Sequence, residues 1–356
     1  MRLLSVVERL RSSRSADRFA IWRMTHPGLR PGWSVLGVLL IASFVAVAFS
    51  VETRTGASSR PVIVLALASA GTMAAAALVG TLHRVVVPLS VALAISWVAY
   101  QWSGDLDGGP LSGPFGYRNA FGALLLMGAF AWLIAGRALR HPIALALSIA
   151  PAGVLGFLAV RSSSAAAAGL VLVAVAFLGF LGTKGVRAAV IICWIATFGV
   201  LAVTIRSGAS YLPGRPPSGF AASLADAGIT ERRLALWHDA LDITRTAPSG
   251  IGHGRFGETS PTALSDRDTI YAHNEFLETS AELGVGAGVL MVLLIAWAFA
   301  RLAVTRRPGL VAAISAAVLA GASIQACVDY VWHFPAIPLA AAALVGTGFV
   351  GRREYA

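Results

Sequence analysis

The stretch YAHNEFLETSAELGVGAG, residues 271–288, sets His273 and Asn274 ahead of three glutamates and then runs into an apolar segment. A histidine titrates near neutral pH and can take the proton of an attacking hydroxyl. Glu275, Glu278 and Glu282 follow the three-and-four spacing that puts side chains on one helical face. His and carboxylates also ligate metals, but no second His stands at helical spacing as it does in a metallohydrolase helix. The reading is therefore a site with no metal and no cofactor.

Further ionisable groups stand in separate short stretches. ITERRLALWHDALDITRTAP carries Arg232 and Arg233, GYRNAFG carries Arg118 and Asn119, VRSSSAAAAG carries Arg161, and CVDYVWHFPAIP carries Asp329 and His333. Several arginines without a matching cluster of acids suit an anionic ligand, because the guanidinium fork fits phosphate oxygens. Arg232 and Arg233 would sit in the first turn of a helix, where the dipole prefers acids, and that local conflict hints at a role. PSGIGHGRFGE matches G-x-G-x-x-G at Gly252, Gly254 and Gly257. No strand–helix–strand unit surrounds it, so it is read as a tight turn that could gather backbone N–H groups, not as a dinucleotide site.

The elements that must position these groups are membrane helices. The chain of 356 residues is 57% hydrophobic and 13% charged; soluble domains carry roughly twice that charged fraction. Apolar runs of about 20 residues span a bilayer. Ten candidate spans lie at roughly 34–51, 62–80, 85–102, 119–136, 142–160, 165–182, 188–205, 285–304, 309–327 and 334–350. The predicted fold class is all-α, a polytopic transmembrane bundle of about ten spans with one large, partly helical extracytoplasmic loop. The chain divides into a basic N-terminal segment 1–33, spans 34–205, the loop 206–284, and spans with a short tail 285–356. The first 33 residues are polar and Arg-rich and are not read as a cleavable leader. Leu3, Val6, Val7 and Leu10 fit one face of an interfacial helix, or the segment is a basic tail serving topology alone.

The net charge of +11 reports orientation before it reports nucleic acid. With the N-terminus inside, seventeen basic residues fall in the tails and inner connections and four in the short outer ones. Both termini are therefore expected in the cytoplasm, with 206–284 outside. Arg118, Arg161, Arg233, His273, Asp329 and His333 then share one face of one membrane. Cys193 and Cys327 lie in apolar runs without ligand spacing, so neither a disulfide framework nor a zinc site is read. In the loop, Thr230 can cap a helix that ends before Pro248, with Leu236, Trp237, Ala240, Leu241 and Ile243 on its apolar side.

Taken in order, Arg233 to Trp237 (R-x-x-x-W), PSGIGHGRF, and HNEFLETSAELGVG resemble the O-antigen ligase and O-antigen polymerase superfamily of bacterial membrane glycosyltransferases. GYRNAFG and DYVWHFPAIP also look like family positions. The resemblance is densest over about 230–345. It implies transfer of a glycan from an undecaprenyl diphosphate carrier, on the extracytoplasmic face, to a glycan, lipid or wall-polymer acceptor. It implies a location in the bacterial inner membrane, contact with membrane lipids and no nucleic acid partner. Arg233 and His273 match the family's loop Arg and His and are the expected catalytic pair. His273 would act as base or bind diphosphate; Arg161, Arg118, Asn274, Asp329 and His333 are the expected substrate-binding residues. Arg161 precedes its serines, where the family's middle-helix Arg follows a serine. The rival reading is a transporter or flippase of an anionic lipid, which would want midplane charges and paired broken helices. A non-catalytic scaffold would explain the loop, but not the arginines and His returning from separate helices.

Overall fold

A long run of uncharged side chains has to satisfy its own backbone when water is excluded, and a single segment does that as a helix. The computed structural model of the chain describes residues 31–102, 111–139, 141–162, 183–214, 230–265, 270–305 and 309–350. The first helices are α1 (Pro31–Thr55), α2 (Arg60–Leu82), α3 (Val86–Gln101), α4 (Arg118–Ala138), α5 (Pro142–Ser162) and α6 (Thr183–Ser210). The loop region holds α7 (Glu231–Thr246), the single turns α8 (Phe256–Thr259) and α9 (Pro261–Leu264), and α10 (Glu275–Leu283). The chain closes with α11 (Val285–Ala303), α12 (Leu310–Ala326) and α13 (Ala336–Gly348). The fold is an all-α polytopic bundle.

By length and composition α1, α2, α4, α5, α6 and α11 can each cross a membrane, while α3, α12 and α13 are apolar but shorter. Nine of the ten expected spans thus coincide with a helix. The tenth, 165–182, lies outside the described residues, as do residues 1–30 of the N-terminal segment; its last residues, 31–33, open α1. At 1.5 Å per residue α12 and α13 reach only about 26 and 20 Å, short of a hydrocarbon core of roughly 30 Å. The connection 327–335 between them carries a 3₁₀ turn at Val331–His333.

Helix α4 is the most enclosed of the long helices. Ala120, Gly122, Ala123, Gly128, Ala131, Ala135 and Gly136 are all buried along it. Small residues let neighbouring backbones close in: a Cβ on Gly128 would collide with Ile95 and Leu155, and one on Gly136 with Ser148. The main core joins α4 to α11, α12 and α13 through Met127, Phe130, Ile134, Phe299, Leu302, Ile314 and Leu344.

The loop has a core of its own, built from Leu234, Leu236, Trp237, Ala240, Ile243, Phe256, Ala263, Ala272, Leu277 and Ala281. It rests directly on α6. Gly208 lies so close to α7 that a Cβ there would meet Trp237 at 2.9 Å, and His238 Nδ1 is 3.1 Å from the Gly208 carbonyl oxygen. This packing carries α6 on to Ser210, past the span end expected at 205. The Ser207 hydroxyl bonds back to the Val203 carbonyl within the added turn.

Candidate active site

The spacing predicts a helix capped by Thr230, and α7 begins there: the Thr230 hydroxyl accepts from the Arg233 backbone N–H at 3.3 Å. Leu236, Trp237, Ala240 and Ile243 face the loop core, with Leu241 packed against it. That fixes the rotation of α7 and turns Arg233 toward the connection 327–335. Its guanidinium Nη2 lies 4.0 Å from Asp329 Oδ2. A nearby carboxylate offsets the unfavourable place of a cation in a first turn. Arg232 takes another course and donates to the Thr262 carbonyl at 3.2 Å.

Asp329 is the node of the site. Its side chain is only 2% exposed. Oδ1 accepts from the Tyr117 hydroxyl at 2.6 Å, from the Tyr330 backbone N–H at 2.9 Å, and lies 3.1 Å from His273 Nδ1. Oδ2 accepts from the Asn119 amide. A buried carboxylate needs this many partners, because each unsatisfied lone pair would cost desolvation energy. Burial by itself would push the Asp329 carboxyl up; the bond to His273, the charge of Arg233 and the Tyr117 hydroxyl outweigh it and hold the carboxyl below its usual range. The Tyr117 phenol moves the other way, raised by its burial and by the Asp329 charge beside it.

His273 has φ 52°, the one positive φ outside glycine among the described residues. That conformation costs energy and persists where the surroundings impose it. The Trp237 indole N–H donates to the His273 carbonyl at 3.2 Å, and Asn274 opens α10 immediately after. The His273 ring stands edge-on to Tyr330, with centroids 4.8 Å apart. Tyr330 in turn stacks with Tyr117 and with Tyr271, at 4.6 and 4.7 Å. Nδ1 is directed at Asp329, and Nε2 is the ring nitrogen that Asp329 does not engage.

Asn274 and His333, two of the expected substrate-binding residues, are both engaged by protein groups. Asn274 is fully buried. Its Oδ1 accepts from the Phe276 and Leu277 N–H groups, and its Nδ2 donates to Thr204 Oγ1 at 3.0 Å and the Cys327 carbonyl at 2.7 Å. It caps α10 and ties it to α6 and α12. His333 has Nδ1 3.3 Å from Glu275 Oε1 and Nε2 3.1 Å from Glu278 Oε1. Both ring nitrogens are held by protein. Burial alone would lower the His333 pKa; the two carboxylates reverse this and raise it to about 12. Burial pushes Glu278 up to about 7, with His333 pulling it down.

The three glutamates do share one face of α10, and each has a partner. Glu275 Oε1 accepts from the Trp332 N–H at 2.7 Å, and Glu278 Oε2 from the Ala272 N–H at 2.7 Å. Glu282 Oε1 accepts from the Phe256 N–H at 3.0 Å, and its Oε2 lies 3.0 Å from His253 Nδ1. The glycine turn packs on the end of the same helix. Ile251 N–H and Gly252 N–H donate to the Ala281 and Glu282 carbonyls, which the helix itself leaves open. Gly250, Gly252 and Gly254 all have positive φ there, and a Cβ on Gly250 would strike the Glu282 carbonyl. Two backbone N–H groups of this turn thus go to α10, and the turn caps that helix.

Arg118 and Arg161 are both exposed. Arg118 starts α4 and Arg161 lies in the last turn of α5. These helices pack as neighbours joined by a short connection, so both arginines stand at the end of the bundle where Tyr117 and Asn119 meet Asp329. No described residue pairs with either. Sequence reasoning missed Tyr117, Tyr330 and the work of the glutamates. The signal was present in GYRNAFG and CVDYVWHFPAIP, where tyrosines flank the charged residues, but pairwise contact across some 210 residues has no mark in one sequence.

Residues 144–292 match the family model described as O-antigen ligase. The matched segment includes Arg161, Arg233 and His273 and ends before Asp329 and His333. It bears out the resemblance read from the loop motifs. A comparison with curated proteins gave no match.

Proposed function

We propose that this O-antigen ligase-like membrane glycosyltransferase takes its glycan from an undecaprenyl diphosphate carrier, on the extracytoplasmic face, and passes it to the hydroxyl of an acceptor. The observation that carries the reading is the convergence of His273, Asp329 and Arg233 at one end of an apolar bundle. His273 Nε2 accepts the proton of the acceptor hydroxyl as its oxygen bonds to the anomeric carbon. The bond from that carbon to the phosphate oxygen breaks, and the electron pair leaves with the diphosphate. Asp329 holds the ring by Nδ1 and stabilises the imidazolium that forms, as a carboxylate does for a histidine base. Arg233 stabilises the charge that builds on the leaving diphosphate, with Arg118 and Arg161 further along the same end. Apolar helix faces suit the polyprenyl tail.

The decisive experiment is glycan transfer from undecaprenyl diphosphate to an acceptor by purified protein. His273→Ala should abolish transfer while the protein remains folded in the membrane. Near-normal turnover in that variant removes the catalytic assignment and puts the transport of an anionic lipid first.

A further inference from the structure

Two segments carry the reacting groups, and neither belongs to a regular element. His273 lies in the irregular segment 271–274 and Asp329 in the connection 327–335. Loops left to themselves move on nanosecond to microsecond times, and a base misplaced by about 1 Å can lose a hundredfold in rate. Something must register one segment against the other. Two carboxylates on one face of α10 reach both. Glu278 accepts from the Ala272 N–H, one residue before His273, and meets His333 Nε2 at 3.1 Å. Glu275 accepts from the Trp332 N–H and meets His333 Nδ1 at 3.3 Å. The Tyr271 ring lies over His333, with centroids 4.2 Å apart. His333 is therefore a cross-piece: it sits in the Asp329 connection, lies against Tyr271 of the His273 segment, and is gripped on both ring nitrogens by the helix that follows His273.

We infer that His333, clamped between Glu275 and Glu278, is a positioning residue that holds His273 and Asp329 at bonding distance. The inference rests on the glycosyltransferase reading for its kinetic consequence, but its structural content stands apart from that reading. A charged cross-piece suits this place physically. A half-buried imidazolium flanked by two buried carboxylates is directional at both nitrogens, and losing it leaves their charge uncompensated. The clamp touches neither substrate nor reacting atoms; it works through the two segments alone.

The test uses the full-length protein in detergent or bilayer. His333→Gln keeps a polar side chain of similar reach and removes the charge. Expected are a fall in kcat of about a hundredfold, a donor KM within about twofold of wild type, and faster backbone hydrogen exchange at 270–274 and 327–333 with α4 and α5 unchanged. Glu275→Gln keeps an acceptor for the Trp332 N–H and should give a smaller loss of the same kind; it carries the test should His333→Gln fail to fold. Turnover and exchange both at wild-type levels in the folded variants overturn the clamp. A raised donor KM with kcat intact also overturns it, and makes His333 a substrate ligand. Wild-type protein with no transfer activity would sink the glycosyltransferase reading, and the exchange measurement would still decide the clamp.

Discussion

His273 Nδ1 and Asp329 Oδ1 lie 3.1 Å apart across 56 residues of chain, one from the loop and the other from the connection that follows α11 and α12. Tyr117 and Asn119 close the same carboxylate from a third part of the chain. The pair depends on three separate connections arriving at one point. The proposed transfer uses this pair as a base and its orienting acid.

Asp329→Asn retains the shape and removes the charge. It can present an N–H where His273 needs an acceptor, so the imidazole is held in the wrong tautomer. The kcat for transfer should fall by about a thousandfold or more, with donor KM little changed. Tyr117→Phe should cost much less, because Asp329 keeps its remaining partners. A steady-state comparison of the two variants checks the order.

Arg233→Lys keeps a positive charge but loses the planar fork. It should be nearly as damaging as Arg233→Ala. If Arg233 and His273 act on one transition state, Arg233→Ala combined with His273→Ala should be little worse than either alone. Multiplying losses in the double variant would show two independent roles.

Sidedness can be read with thiol chemistry. Cys193 and Cys327 are both buried, so background labelling should be low. Ser265 is exposed at the end of α9. A Ser265→Cys protein should react with an impermeant reagent in cells whose outer barrier alone is opened. Reaction only after the inner membrane is broken would put the site on the cytoplasmic face.

Chelation should leave transfer intact. Each glutamate of α10 already accepts a backbone N–H, and the proposed leaving-group charge meets arginine. Loss of turnover with EDTA, restored by a single divalent ion, would assign the acidic face to a metal.

The clamp also sets a dependence of stability on pH. His333 is raised to about 12 in the fold, against about 6.5 for an unfolded histidine. Its contribution is full below 6.5 and is lost as pH rises from there through 12. The stability gap between wild type and His333→Gln should therefore be widest at mildly acidic pH and narrow toward pH 10, as thermal unfolding at several pH values would measure. Asp329, held below its usual range, behaves oppositely. Its share is present above about 3.9 and is lost as pH falls further.

Helix placement was legible because uncharged runs of about 20 residues leave the backbone few other options. The Thr230 cap and the apolar side of α7 were legible for the same local reason: both are written within a few residues. The three-and-four spacing of Glu275, Glu278 and Glu282 correctly put them on one face. What that face does was not legible, since Trp332, Ala272 and Phe256 offer backbone N–H groups that leave no trace in residue type. Asn274 shows the same limit. Beside His273 it reads as a ligand, yet its whole amide is used in capping α10 and tying it to Thr204 and Cys327.

The ties of Asn274 also bear on how such an enzyme can change. Because its amide bonds α6 and the end of α12 at once, and Gly208 admits Trp237 with no room for a Cβ, the loop is not a portable module. A segment 206–284 cut free or grafted onto a different bundle loses its seat along with its neighbours. The heritable unit is the loop together with the two helix ends that receive it. Substitutions in one should show epistasis with the other, and recombination between relatives should succeed only where its crossovers keep both.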